Sequence, residues 1–251
     1  MRPLISLASL LLLGAAVLRG SPVTDPIVWS TPTTISGDTD VLTNGTLVGA
    51  FNFGDTGIGS TTINGVAFQG LAFASGTAST VASGNFSLHI GSGTFSAQSA
   101  AGTTNQPFSN LSSSYQSLLS SFAYTSGTAF TLTMSGLSVG HTYEFQWWSD
   151  DSQTSSSFVT GASAVNTDSL SSNTGTSNGG LGQFGVGTFT TGTTGERIVF
   201  NGGTFNIVDA FQLRDVTTAV PEPSTYALWM SVGGLGLAVC FRRKLVSARA
   251  K

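Results

Sequence analysis

The chain reads as an all-β protein, an antiparallel β-sandwich of jelly-roll type with one short helix, and three observations predict this. It holds 32 Gly and 17 Phe in 251 residues with only 8% charged residues. Glycine weakens helix interiors, and aromatics favour half-buried strands. Apolar residues alternate with a period of two in several short segments, and Gly-rich turns separate those segments at close intervals.

The elements follow in order. Thr43 to Phe53 is a strand, with Leu47, Gly49 and Phe51 on one side and Thr46, Val48 and Ala50 on the other. Thr61 to Phe68 is a hairpin, because Asn64-Gly65 at its centre tolerates the positive φ of a tight turn. Phe86 to Ile90 alternates again. Leu111, Tyr115, Leu118 and Phe122 recur near helical spacing, which predicts a short amphipathic helix within Asn110 to Tyr124 that caps an end of the sandwich. Phe130, Leu132 and Met134 then mark a strand that turns through Gly136 to Gly140 into Tyr143 to Trp148. In that second strand Tyr143, Phe145 and Trp147 face one way, and Glu144, Gln146 and Trp148 the other. One of the two tryptophans is therefore expected to leave the core side. Asp150 to Gly180 has no hydrophobic period and reads as a long functional or mobile loop. Strands return at Phe184 to Phe189, Arg197 to Phe200, and Phe205 to Leu213, giving eight to ten in all.

Both ends look like targeting segments. Arg2, the apolar Leu4 to Leu18, and the small residues at Gly14-Ala15-Ala16 or Gly20-Ser21 predict a signal peptide over 1–20, cut by signal peptidase. The β-sandwich ectodomain then spans 21–215 and a linker 216–219. At the far end Val220, Pro221, Glu222, Pro223, Ser224 and Thr225 form an extended motif, since each proline fixes its own φ and biases its predecessor away from helix. An apolar segment over 226–241 follows and reads as a single transmembrane helix in the inner membrane. Trp229 near one end and Arg242, Arg243 and Lys244 at the other are its interfacial anchors. The basic tail over 242–251 stays in the cytoplasm, which leaves the preceding chain outside.

These three parts in this order resemble the PEP-CTERM sorting signal, over residues 220–251. The resemblance implies an exosortase that cuts at or near Pro221-Glu222-Pro223 and delivers the ectodomain to the cell surface or an extracellular polysaccharide matrix. Leu132 to Asp151 and Asp209 to Arg214 loosely resemble the last strands of carbohydrate-binding jelly rolls, a likeness that carries no binding residues over.

Charge narrows the partners. Between Ser21 and Val220 there are eleven acidic residues against Arg197 and Arg214 alone, an excess of nine negative charges. Nucleic acid is repelled by such a surface. Extracellular polysaccharide or a divalent cation is compatible with it. The only cysteine, Cys240, lies in the apolar tail segment, so the ectodomain has no disulfide and no thiol chemistry. His89 and His141 stand far apart, and no nucleophile-elbow, zinc-ligand or phosphate-cradle spacing occurs, so the expectation is a non-catalytic domain without cofactor. Trp147 and Trp148 with Asp150 and Asp151 are the candidate glycan contacts, an indole face offering apolar area beside carboxylate acceptors. Asp38, Asp40, Asp150 and Asp151 are the candidate calcium ligands, as hard oxygens on loops. The competing readings are a secreted glycan-active enzyme, for which Glu144 with Asp150 or Asp151 is the one local acidic group near aromatics, and an adhesive matrix protein without a specific ligand.

Overall fold

The structure is a computed structural model and describes residues 24–73, 76, 80–90, 95–98 and 102–218. The expected signal peptide, the sorting motif and the membrane anchor with its Trp229, Arg242, Arg243 and Lys244 lie outside these residues. The chain divides into one unit over Met1–Val216 and a second over Thr217–Lys251. Among the described residues no helix is long and apolar enough to cross a membrane.

In chain order the strands are β1 (Val28–Trp29), β2 (Thr33–Thr34), β3 (Thr46–Gly54), β4 (Thr61–Ile63), β5 (Val66–Ala72), β6 (Thr80–Ser83), β7 (Phe86–Ile90) and β8 (Phe95–Gln98). Helix α1 (Ser113–Leu119) precedes β9 (Phe122–Ser126), β10 (Phe130–Ser135), β11 (Thr142–Ser149), β12 (Val159–Ser163), β13 (Thr167–Ser171), β14 (Gln183–Thr190), β15 (Gly195–Gly202), β16 (Phe205–Val208) and β17 (Ala210–Asp215). The larger sheet has the order β1-β14-β11-β17-β3-β5-β4, with β2 also on β14; the second has the order β13-β12-β15-β10-β7-β6; a small third sheet is β16-β9-β8. From β10 onward the chain passes repeatedly between sheets, with the β12–β13 hairpin kept within one, a sandwich of the kind expected of the sequence. One neighbouring pair departs from the antiparallel rule: β3 and β5 run parallel, because the β4–β5 hairpin brings the chain back along β3 in its own direction. The turn of that hairpin is the predicted one, with Asn64 at φ 48° and Gly65 at φ 76°.

The main core lies between the two large sheets. Phe51, Phe53, Phe145, Trp147, Phe211 and Leu213 from one meet Leu88, Phe130, Leu132, Met134, Ile198 and Phe200 from the other. All twelve are buried. A second core covers the outer face of the larger sheet, where Tyr115, Leu118 and Leu119 of α1 pack with Phe68, Trp148 and Ala210. The domain is thus a sandwich with a third, partly helical layer.

Three expectations need correction. The helix covers a sheet face, not an end, and stops at Leu119. The Ser120 hydroxyl bonds back to the Gln116 carbonyl, which competes with continued helix, and Phe122 begins β9 instead. The long loop over 150–180 contains the hairpin of β12 and β13. Its inward positions are Thr160, Ala162, Asp168 and Leu170, too little apolar to show a period. Finally, the single strand expected over 205–213 is two strands in different sheets, divided at Asp209. The Asp209 amide donates to the Trp148 carbonyl and its own carbonyl accepts from Phe53, so the chain changes sheets there.

Candidate functional site

Strand β11 places the predicted Trp-Asp group, and the structure corrects the proposed glycan platform. Trp147 and Trp148 do point to opposite faces, yet both are 0% exposed. The Trp147 indole N–H donates to Asp168 Oδ2 at 3.2 Å across the sandwich. That contact needs a glycine opposite, since a Cβ on Gly185 would stand 2.0 Å from the same carboxylate oxygen. The Trp148 N–H donates to the Tyr115 hydroxyl at 2.9 Å, and that hydroxyl donates onward to Asp40 Oδ2 at 3.3 Å. The outer face of the larger sheet, which a sandwich alone would leave wet, is closed by α1 and by the segment before β3. Neither indole offers a face to a sugar.

The aspartates after β11 are buried as well, at 0% exposure for Asp150 and 5% for Asp151. Both Asp150 oxygens accept backbone donors, Oδ1 from Gly182 at 2.7 Å and Oδ2 from Ser152 at 3.1 Å. Asp209 Oδ2 accepts the Asp150 amide at 2.6 Å. Burial pushes the Asp150 carboxyl up to about 8 despite the two amides, with the charge of Asp151 adding to the rise. Asp209 rises well above the ordinary aspartate value, again through burial first and then through Asp150. Burial thus biases both carboxyls toward the protonated form. Asp38 and Asp40 act as fasteners: Asp38 Oδ1 accepts the Ser112 hydroxyl at 2.6 Å, and Asp40 accepts the amides of Ser36 and Gly37 at 2.7 and 3.0 Å. The calcium expectation for Asp38, Asp40, Asp150 and Asp151 is therefore corrected. Asp38, Asp40 and Asp150 accept protein donors, and among the described residues no group of three or more His, Cys, Asp or Glu is placed to hold a metal ion. Asp150 follows β11 six residues after Glu144, roughly 20 Å along the extended chain, too far to flank one glycosidic bond.

A cavity does form nearby, where sequence reasoning named only Asp151. It measures about 210 Å³ and lies on one face of the small third sheet. Strand register builds that face: Gln98 stands opposite Phe122, and Tyr124 opposite Ile207. Phe122 and Ile207 are buried beneath, while Tyr124, Phe158 and Phe205 are half-buried around the rim. The rings meet edge to face, Phe158 on Phe205 at 77° and Tyr124 on Phe205 at 63°. They therefore make a cup instead of a flat shelf. The opposite face of the same sheet sends Ala123 and Val208 into the main core, which fixes the cup on the sandwich. Asp151 and Gln153, both lining the cavity, arrive on the loop after β11, and the Gln98 amide donates to Gln153 Oε1 at 3.3 Å. Burial raises the Asp151 carboxyl above its ordinary value, and donors from Gln153 and Thr154 moderate the rise. Asp151 Oδ1 is buried with no partner. The signal available in the sequence was Phe158, a lone aromatic in a Ser/Thr-rich stretch.

The cup and residues Asp25 and Asp215 occupy opposite ends of the sandwich. Strand β17 begins beside Trp148 and finishes with Asp215 opposite Tyr143, a run of about 20 Å. At that finishing end Asp215 pairs with His141 at 2.6 Å. The N-terminal segment is fastened at the same end, where the Asp25 amide donates to Glu196 Oε2 at 2.8 Å and Asp25 Oδ2 accepts from Gly192 at 2.9 Å. Asp25 and Asp215 thus lie at one end of the sandwich and the cup at the other.

Comparison with known proteins bears on the two regions unequally. Among solved structures, one described for the promiscuous specificity of carbohydrate-binding modules from the β-sandwich superfamily aligns over 75% of this chain and 93% of its own, at 12% identity and a TM-score of 0.17, too slight a likeness to carry any assignment. No curated protein matches the chain. The family profile of the PEP-CTERM protein-sorting motif matches residues 219–244, the stretch holding Pro221-Glu222-Pro223, the apolar run and the Arg242-Arg243-Lys244 cluster. The chain therefore carries a PEP-CTERM sorting motif, and it is an exported protein, sorted by exosortase and anchored to the membrane before processing.

Proposed function

We propose that this protein is a non-catalytic binding module displayed at the cell surface or in an extracellular polysaccharide matrix, and that it engages polysaccharide through the cup of Tyr124, Phe158 and Phe205. In this reading signal peptidase removes residues 1–20 and the segment over 226–241 holds the precursor in the inner membrane. Exosortase then processes the chain near Glu222. The observation that supports it is the cup itself: half-buried aromatic rings stand beside amide and carboxyl groups at the end of the sandwich opposite Asp25 and Asp215. Half-exposed rings beside hydrogen-bonding groups suit ligands that are apolar on one face and polar at the edge.

The absence of catalysis in this reading rests on the acids. Asp150 and Asp209 hold backbone amides, and Glu144 stands too far along β11 to work with them.

Two measurements test the proposal. Mass spectrometry of the mature termini, in cells with and without exosortase, should show a C-terminus shortened near Pro221-Glu222-Pro223 only when the protease is present. Retention of the exported protein on extracellular polysaccharide should fall in Tyr124→Ala and Phe158→Ala and persist in Val139→Ala, an exposed site elsewhere. Equal retention by all three would remove the cup from the account.

A further inference from the structure

We infer that the cup takes a single uncharged sugar ring at the end of a glycan chain, with Asp151 as the residue that grips its hydroxyl groups. This inference rests on the saccharide reading above and narrows it.

The shape argues for a chain end. Coplanar rings spaced along a surface would support an extended run of sugars, whereas these rings meet at 77° and 63° and so form walls on several sides. Phe122 is itself set at 69° to Tyr124. The cavity of about 210 Å³ is smaller than the 300–1,000 Å³ or so of a usual small-molecule site. One ring fits such a volume; an internal stretch of polymer needs an open groove.

The polar groups argue for neutral hydroxyls. Gln98 and Gln153 each offer both a donor and an acceptor. Asp151 is 5% exposed, lines the cup, and has a buried oxygen with no partner. A buried acceptor of this kind is costly to leave unmade, and a sugar hydroxyl would supply the missing donor. None of the described residues that line the cup is basic. An acidic sugar would therefore meet a carboxyl group with no compensating cation, inside a domain already carrying an excess of nine negative charges.

The test uses the exported protein and two preparations of one neutral polysaccharide, a dextran or a galactan, that differ only in chain length. Alginate serves as the acidic polymer. At equal mass the shorter chains carry more ends, so retention should rise in proportion to chain ends, and the free monosaccharide should compete. Asp151→Asn should weaken binding by about tenfold, the loss of one charge-assisted hydrogen bond, with the thermal midpoint of unfolding retained. Gln153→Ala should weaken it less. Retention that follows polymer mass regardless of chain length overturns the chain-end assignment while leaving the cup as a saccharide site. Firm retention on alginate overturns neutrality. Absence of binding to every neutral polymer removes the underlying saccharide reading along with this one.

Discussion

The two faces of β11 solve the same burial problem with different materials. On the inner face Tyr143, Phe145 and Trp147 meet a second sheet, and the contact is almost wholly aromatic and aliphatic. On the outer face Gln146 and Trp148 meet a seven-residue helix and a length of irregular chain, and the closure is made largely of hydrogen bonds. Gln146 accepts from Gln212 at 2.6 Å and from the Leu42 amide at 3.1 Å, and donates to the Asp40 carbonyl at 2.7 Å. Arg214 donates to the carbonyls of Thr43, Asn44 and Gly45. The inner face depends on area removed from water, the outer on polar groups that must all find partners. One strand is thereby held by two kinds of cohesion that fail in different ways.

The comparison breaks most visibly at the two indoles. Trp147→Ala and Trp148→Ala should each cost about 3–5 kcal/mol, measured by denaturant unfolding. An effect below about 1 kcal/mol at Trp148 would mean that the helical cover does not close the outer face.

pH gives the next handle. Asp150, Asp209 and Glu196 all have carboxyls raised by burial, Asp150 to about 8 and Glu196 to about 7. A raised folded value means that the folded state holds a proton the unfolded chain has released, so stability is fully present below about pH 4 and falls as the pH rises toward 8. The thermal midpoint should drop across that window. Asp209→Asn keeps an acceptor for the Asp150 amide and should flatten the slope; a midpoint that climbs from pH 5 to 8 would contradict the assignment.

Tyr115→Phe tests the outer face alone. It leaves the Trp148 N–H without its acceptor, for a loss of about 1–3 kcal/mol, with no matching effect on the inner core. Ser112→Ala removes the helix cap, whose hydroxyl accepts the Tyr115 amide at 3.1 Å, and should cost about 1 kcal/mol. Smallest is Asp215→Asn. The His141 pair is only half-buried, so the change should stay within about 1 kcal/mol.

Much of the sandwich was legible. Phe130, Leu132 and Met134 alternate in the sequence and are all buried inward, and Asn64-Gly65 turns the hairpin as its residue types require. The segment over 159–171 was hidden because its inward residues are Thr, Ala, Asp and Leu, buried by what lies opposite and not by their own hydrophobicity. The cup was hidden for a related reason. Its residues come from β8, β9, β16 and the loop between β11 and β12, and Gln98 meets Gln153 across 55 positions of chain.

By itself the sequence determined what acts over short distances: strand periodicity, the tight turn, the acidity of the ectodomain, and the ordered string of proline motif, apolar run and basic cluster. Each follows from neighbouring residues and needs no partner. Only the tertiary structure decided where Trp148 is buried, which carboxyls are desolvated, and where a cavity opens. Those properties belong to the space between distant segments, and desolvation there is set by whatever the fold brings alongside.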